Sequence, residues 1–217
     1  RAYSYYHLVR LFGDVPYLNA PVESAAALDA VGRTPVSEVY EYVIEDLQFA
    51  KDMLPERHPG DPRNRATQGT AATIIADVYL TLKKYDEAAT EARFVIQNAD
   101  KYDYQLETNY QDLFNGDLAG TIKEPILTLD FENTLDDNPY NMDWMIPQTR
   151  IRDYGKRSLS VTVPSLKAYQ SWDNRDYRKH VSFEDSVEID GVMTALTDTE
   201  FRVPRPHIAK FFRYPGP

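Results

Sequence analysis

The residues of this chain best suited to chemistry lie in one stretch, residues 138–152, where Tyr140, Asn141, Asp143, Trp144, Gln148, Arg150 and Arg152 follow one another closely. Flat aromatic faces interleaved with Asn, Asp and Arg suit the recognition of a sugar, whose C–H face needs an apolar platform and whose hydroxyls need fixed polar partners. A second reading stays open from the residues alone: Trp144 with Met142, Met145 and Ile146 could plug the loop onto a core. Trp172, beside Asp173 and Asn174, offers the same side-chain types, but its spacing from Leu166 and Tyr169 suits the buried side of a short helix. The Asp-x-Arg pattern within 173–178 reads as a structural ion pair.

Other chemistries find little support. His7, His58, His180 and His207 are scattered without the short spacing of a zinc site, and the chain has 0 cysteines. Asn133, Asp136, Asp137, Asn138 and Asp143 are rich in oxygen but lack the alternate-residue order and bend glycine of a calcium loop, so a solvated turn is the expectation. With 34 acidic residues some carboxylates always lie close together, so a catalytic pair cannot be inferred by counting. No Gly-x-Ser-x-Gly elbow, phosphate-binding loop or dinucleotide fingerprint is present, and no cofactor is expected. The net charge of −10 repels phosphate backbones, so nucleic acid is not an expected partner.

Helices must position that stretch. At 217 residues and 42% hydrophobic content the chain has material for a buried core, and no apolar run approaches the length of a membrane span. Tyr5, Leu8, Val9 and Phe12 fall at helical spacing over 2–12, before Gly13. Residues 14–30 read as an ordered crossing loop that buries Val15, Tyr17, Leu18 and Val22. Thr34-Pro35 starts a second helix over about 35–54 with Val39, Val43, Leu47, Ala50 and Leu54 on one face. A third begins near Thr67 and carries Ala71, Ile74, Ile75, Val78, Tyr79 and Leu82; a fourth, from Asp86 to about Asn98, carries Ala88, Ala89, Ala92, Val95 and Ile96. The short break at 83–85 makes these two an antiparallel hairpin. Ala76, Tyr79, Ala88 and Ala92 give it the logic of a tetratricopeptide repeat, in which small side chains admit the facing helix and one aromatic fills the gap beside them.

Later segments are shorter. Ile126, Leu127, Leu129 and Phe131 read as a strand, residues 163–172 as a short helix after Pro164, and 187–194 as a hairpin turning at Asp190-Gly191. Residues 132–154 hold no period, and loops of that length tend to carry function. The fold class expected is mainly α: tetratricopeptide-like hairpins over 1–100, then a loop-rich region with a few short strands over 101–217, the two forming one structural unit.

In order along the chain, these segments resemble the SusD/RagB family. The carrying words are the first sixteen residues, ending in Phe12-Gly13-Asp14-Val15-Pro16, then Arg33-Thr34-Pro35, Ile44-Glu45-Asp46-Leu47, Arg65-Ala66-Thr67, Tyr79-Leu80, Tyr85-Asp86-Glu87-Ala88 and Glu124-Pro125-Ile126-Leu127. Pro164-Ser165-Leu166, the 173–178 segment and Ile208-Ala209-Lys210-Phe211 continue it, with Phe211 where the family has Tyr. The resemblance implies a surface lipoprotein of Bacteroidetes outer membranes, not an enzyme, that binds an oligosaccharide or another nutrient and delivers it to a SusC-like TonB-dependent transporter. It implies ligand contacts in the loop bearing Tyr140, Asn141, Asp143, Trp144, Arg150 and Arg152, and a longer parent, extended at both ends and lipidated at an N-terminal cysteine absent from these residues. The alternative is a helical-repeat adaptor that binds only protein.

Overall fold

In the computed structural model the residues described are 1–24, 31–60, 63–115, 118–129, 160–189, 191–197 and 201–210. They belong to two compact units, one of Arg1–Gln105 with Pro125–Thr128, the other of Leu106–Glu124 with Leu129–Pro217.

The first unit is a stack of helices, α1 (Ala2–Phe12), α2 (Val36–Met53), α3 (Gln68–Thr81) and α4 (Tyr85–Gln97), each packed on the next, followed by the short α5 (Ala99–Tyr102). All four long helices lie within a residue or two of where periodicity places them. Gly13, at φ +70°, ends α1 in a conformation that costs glycine little. At the start of α3 the Thr67 hydroxyl accepts from the Thr70 N–H, and the Thr70 hydroxyl accepts from the Thr67 N–H at 3.1 Å, a reciprocal cap. Lys83, at φ +60°, lets Leu82, Lys83 and Lys84 alone turn the chain from α3 into α4. The hairpin at residues 74–96 is therefore two antiparallel helices in contact.

The core runs through Tyr6, Val9, Val39, Val43, Leu47, Ile75 and Val78. Burying each aliphatic side chain stabilises by about 1.5–3 kcal/mol. Two faces differ from the sequence reading. On α1 the buried stripe is Ala2, Tyr6 and Val9, while Leu8 is exposed and Phe12 keeps 65% of its surface. Tyr6 takes the core position because its polar tip is satisfied there: its hydroxyl donates to Asp77 and meets the Thr81 hydroxyl, both at 2.8 Å. On α4 the buried face is Ala88, Glu91 and Val95; Ala92 is exposed and Ile96 is 73% exposed. Glu91 is admitted because Lys51 of α2 meets its carboxylate at 2.7 Å, with the ammonium 4.1 Å from the centre of the Phe94 ring.

The crossing loop is ordered as expected at Val15, which is buried and accepts from the Thr34 N–H at 2.9 Å. Tyr17 stacks on Tyr42 at 4.4 Å and packs against Tyr5, whose hydroxyl accepts from the Leu18 N–H. Val22, by contrast, stays exposed.

Residues 126–129 do not form the strand their apolar run suggests. The Thr128 N–H donates to the Arg63 carbonyl at 2.8 Å and the Ile126 carbonyl accepts from the Thr70 hydroxyl, so these backbone groups are satisfied by the loop before α3 and by its first turn instead of by a neighbouring strand. Tyr102 and Tyr104 pack over the same place: a β-carbon on Gly69 would lie 2.8 Å from the Tyr104 ring.

The second unit holds a 3₁₀ turn (Tyr110–Phe114), α6 (Leu166–Ser171), α7 (Tyr177–Ser182) and four short strands, β1 (Phe183–Glu184), β2 (Ser186–Ile189), β3 (Val192–Ala195) and β4 (His207–Ile208). Ser165 caps α6 by accepting from the Ala168 N–H. Antiparallel β2 and β3 form the expected hairpin, with Gly191 at φ +83° in the turn. Antiparallel β1 and β4 pair Phe183 with Ile208 and Glu184 with His207, and the Tyr110 N–H donates to the Tyr177 hydroxyl at 2.8 Å. Among the described residues no helix is long and apolar enough to cross a membrane.

Candidate functional site

The six ligand-contact residues expected from the sequence, Tyr140, Asn141, Asp143, Trp144, Arg150 and Arg152, lie outside the described residues, as do the oxygen-rich positions Asp136, Asp137 and Asn138. The second tryptophan is described. Trp172 follows α6 directly in an extended conformation and is half-buried, whereas Leu166, which the spacing puts on the same side, is exposed. Its indole edge meets Phe183 at 5.5 Å, and Phe183 meets Tyr169 in the same edge-to-face manner at 5.6 Å. The indole N–H donates to Asp176 at 3.1 Å.

The turn between α6 and α7 is built from two Asp-x-Arg pairs. Asp173 accepts from the backbone N–H and the guanidinium of Arg175, and Asp176 does the same for Arg178, at 2.5–3.1 Å. Arg178 holds the Asp176 carboxyl well below the usual carboxylate range, with the indole donor as a second cause. Both pairs are closed locally, the structural role expected of them. Asp176 is also the N-cap of α7.

Lys179 of α7 reaches back beneath this turn and is 5% exposed. Its ammonium donates to the Trp172 carbonyl at 3.0 Å and to the Asn174 side chain at 2.6 Å, and lies 4.3 Å from the centre of the Tyr169 ring. Among the described residues no carboxylate pairs with it, so neutral oxygens and a ring face offset its desolvation. The Tyr169 hydroxyl donates to Asp185 at 2.8 Å; burial first, and the neighbouring carboxylate second, push its pKa up to about 12. Between Tyr169 and the strand edge lies a polar cleft of about 370 Å³ lined by Lys179, His180, Glu184, Asp185 and Ser186. Periodicity does not bring these residues together; the reversal of the chain from α7 through β1 into β2 does.

In the first unit a more apolar groove of about 480 Å³ opens between α1, α2 and α3, floored by Ala50, Ala71 and Ile74 and walled by Tyr3 and Phe49. Arg1 and Asp46 on its rim are bound to each other, so their charges are spent locally.

Each histidine has its own neighbour. His7 packs edge-on to Tyr3, His58 meets the Ala66 carbonyl, His180 the Asn174 carbonyl and His207 the Ser160 hydroxyl. Among the described residues no group of histidines and carboxylates is arranged to hold a metal ion.

The architecture and sequence have close counterparts. Residues 1–80 match the SusD-like_3 family model, described as starch-binding associating with outer membrane. Over 226 aligned residues, 100% of the chain is matched at 42% identity by SusD-like protein P2 of Formosa agariphila, and 44% of that protein is covered. A laminarin binding SusD-like protein superposes with a TM-score of 0.76 at 22% identity, covering 100% of this chain and 50% of that one. Surface glycan-binding protein A from Bacteroides uniformis superposes at 0.72 with 16% identity, covering 99% and 46%. Along its whole length the chain is similar to a SusD-like protein. It spans less than half the length of the curated relative it matches.

Proposed function

We propose that the protein containing this chain binds an oligosaccharide at the outer-membrane surface without transforming it, and passes it to a SusC-like TonB-dependent transporter. The observation that carries this reading is the match along the whole chain to a SusD-like protein, joined to a family description that specifies starch binding and outer-membrane association. Tyr140 and Trp144 would stack on sugar faces while Asn141, Asp143, Arg150 and Arg152 fix hydroxyls. A surface site whose contacts stay partly hydrated gives modest affinity, which suits transfer to a second protein. A lipid at the N-terminus of the longer parent would hold it to the membrane.

Isothermal titration against plant, host and fungal oligosaccharides tests the reading. At least one glycan should bind, and Trp144→Ala should weaken that binding about tenfold or more while far-ultraviolet circular dichroism stays unchanged. Silence across the whole panel, or a Trp144→Ala variant that binds as well as the parent, overturns it. The same incubations should release no shortened sugars. The exposed apolar side chains of α1 and α4 favour one competing reading, a helical adaptor for protein alone, and that reading predicts the silent panel.

A further inference from the structure

We infer that the polar cleft between Tyr169 and the α7–β1–β2 reversal is a second sugar site, which grips one neutral sugar residue by its hydroxyl edge. The inference rests on the glycan-binding reading above but places a contact where the sequence suggested only structure. A volume of about 370 Å³ sits within the range of small-ligand sites. Its wall offers a sugar's hydroxyl protons a set of acceptors, the Glu184 and Asp185 carboxylates and the Ser186 oxygen, whose own proton goes to Asp185, while Lys179, whose ammonium already donates to Trp172 and Asn174, contributes charge and His180 is held on the Asn174 carbonyl.

Ring stacking is not what this cleft provides. The ammonium of Lys179 sits on the Tyr169 ring, and Phe183 is met by Tyr169 and Trp172 in edge-to-face contacts. Recognition must then run through hydroxyls, in contrast to the aromatic platform expected of Tyr140 and Trp144. Charge narrows the ligand further. Glu184 and Asp185 oppose a uronic acid, while Lys179 opposes an amino sugar, and a neutral ring meets neither penalty. The groups are also held in place before any ligand arrives. Asp185 accepts from the Tyr169 hydroxyl at 2.8 Å and from Ser186 at 3.3 Å, and its own carbonyl accepts from the Leu196 N–H at 2.7 Å. Each carboxylate oxygen accepts more than one hydrogen bond, so Asp185 keeps capacity for a sugar hydroxyl.

The test is a titration of the ¹⁵N-labelled 217-residue chain with the methyl glycosides of glucose, galactose, mannose and xylose, with glucuronic acid and glucosamine as charged controls. At least one neutral glycoside should shift the amides of residues 179–186 to saturation, with both charged sugars weaker. Asp185→Asn and Ser186→Ala should each weaken that binding about tenfold, the effect of losing one good hydrogen bond. Tyr169→Phe, which removes the tether but no ligand partner, serves as the structural control and should weaken it less than Asp185→Asn. Trp144→Ala should leave the monosaccharide titration unchanged. Unmoved amides at 179–186, or shifts insensitive to both Asp185→Asn and Ser186→Ala, overturn the inference. If oligosaccharides still bind in a Trp144-dependent way, that result removes the cleft and leaves the broader function standing; if they do not, both fall.

Discussion

Two residues carry consequences larger than their size. Gly69, on the first turn of α3, lies where a β-carbon would come within 2.8 Å of the Tyr104 ring and 3.0 Å of Tyr102. The rings cannot retreat freely, because the Tyr104 hydroxyl meets Thr67 at 3.0 Å and the Tyr102 hydroxyl donates to Gln68 at 2.8 Å. Gly69→Ala should therefore cost about 1–3 kcal/mol in urea unfolding despite the better helix propensity of alanine, and Tyr104→Leu in the same chain should recover part of that loss. His207, fully buried on β4, has its pKa lowered from 6.5 by burial, against an opposing contact with the Arg205 backbone. The unfolded chain then takes up a proton more readily than the folded one, so the stability tied to neutral His207 is whole above pH 6.5 and is lost as pH falls below it. The protection factor of the Ala209 amide, whose N–H donates to the Ser182 carbonyl at 2.8 Å, should fall between pH 7 and pH 5 once the intrinsic pH dependence of exchange is divided out, and His207→Gln should flatten that fall.

Among elements, the α3–α4 hairpin was readable because its evidence is local: a 3.6-residue period on both sides of a short break. What periodicity could not supply was which of two apolar stripes turns inward. On α1 a ranking by hydrophobicity favours Leu8 and Phe12, whereas packing selects Tyr6 for a hydroxyl that finds Asp77 and Thr81 some seventy residues away. On α4 the same ranking favours Ile96 over Glu91, whose partner Lys51 lies on another helix. The run at 126–129 failed as a strand for a related reason, since its hydrogen-bond partners are the Arg63 carbonyl in the loop before α3 and the Thr70 hydroxyl in its first turn. The polar cleft left no trace in periodicity, because Tyr169 and Asp185 meet only through the chain reversal after α7. The Lys51–Glu91 pair gives this scale its test. Lys51→Met should destabilise by about 1–3 kcal/mol by stranding a largely buried carboxylate, and adding Glu91→Leu should restore most of that loss in a double-mutant cycle.

For the whole molecule, the question is what the helical stack does with the apolar residues it leaves outside. Leu8, Leu11 and Phe12 share one side of α1, with Leu11 at 74% exposure, and Ile96 stands out from α4. A monomeric surface seldom gathers such residues on one helix side without a partner for them. The chain covers 44% of SusD-like protein P2, so a relative built on the same plan has ample further polypeptide, and under the proposed function a transporter as well, to lay against a helical face. These side chains contribute little to the core on which the first unit rests. Replacing Leu11, Phe12 and Ile96 together with Ser should therefore change the urea midpoint only slightly, each substitution costing within about 0.5 kcal/mol. The same triple variant should reduce self-association of the 217-residue chain in sedimentation velocity at high protein concentration, because the surface it removes is apolar and open. Its glycan titration should match that of the parent, since none of the three residues belongs to the proposed loop site or to the polar cleft. A large loss of stability would mean that these positions are core after all, and that the inward stripe of α1 is not Ala2, Tyr6 and Val9.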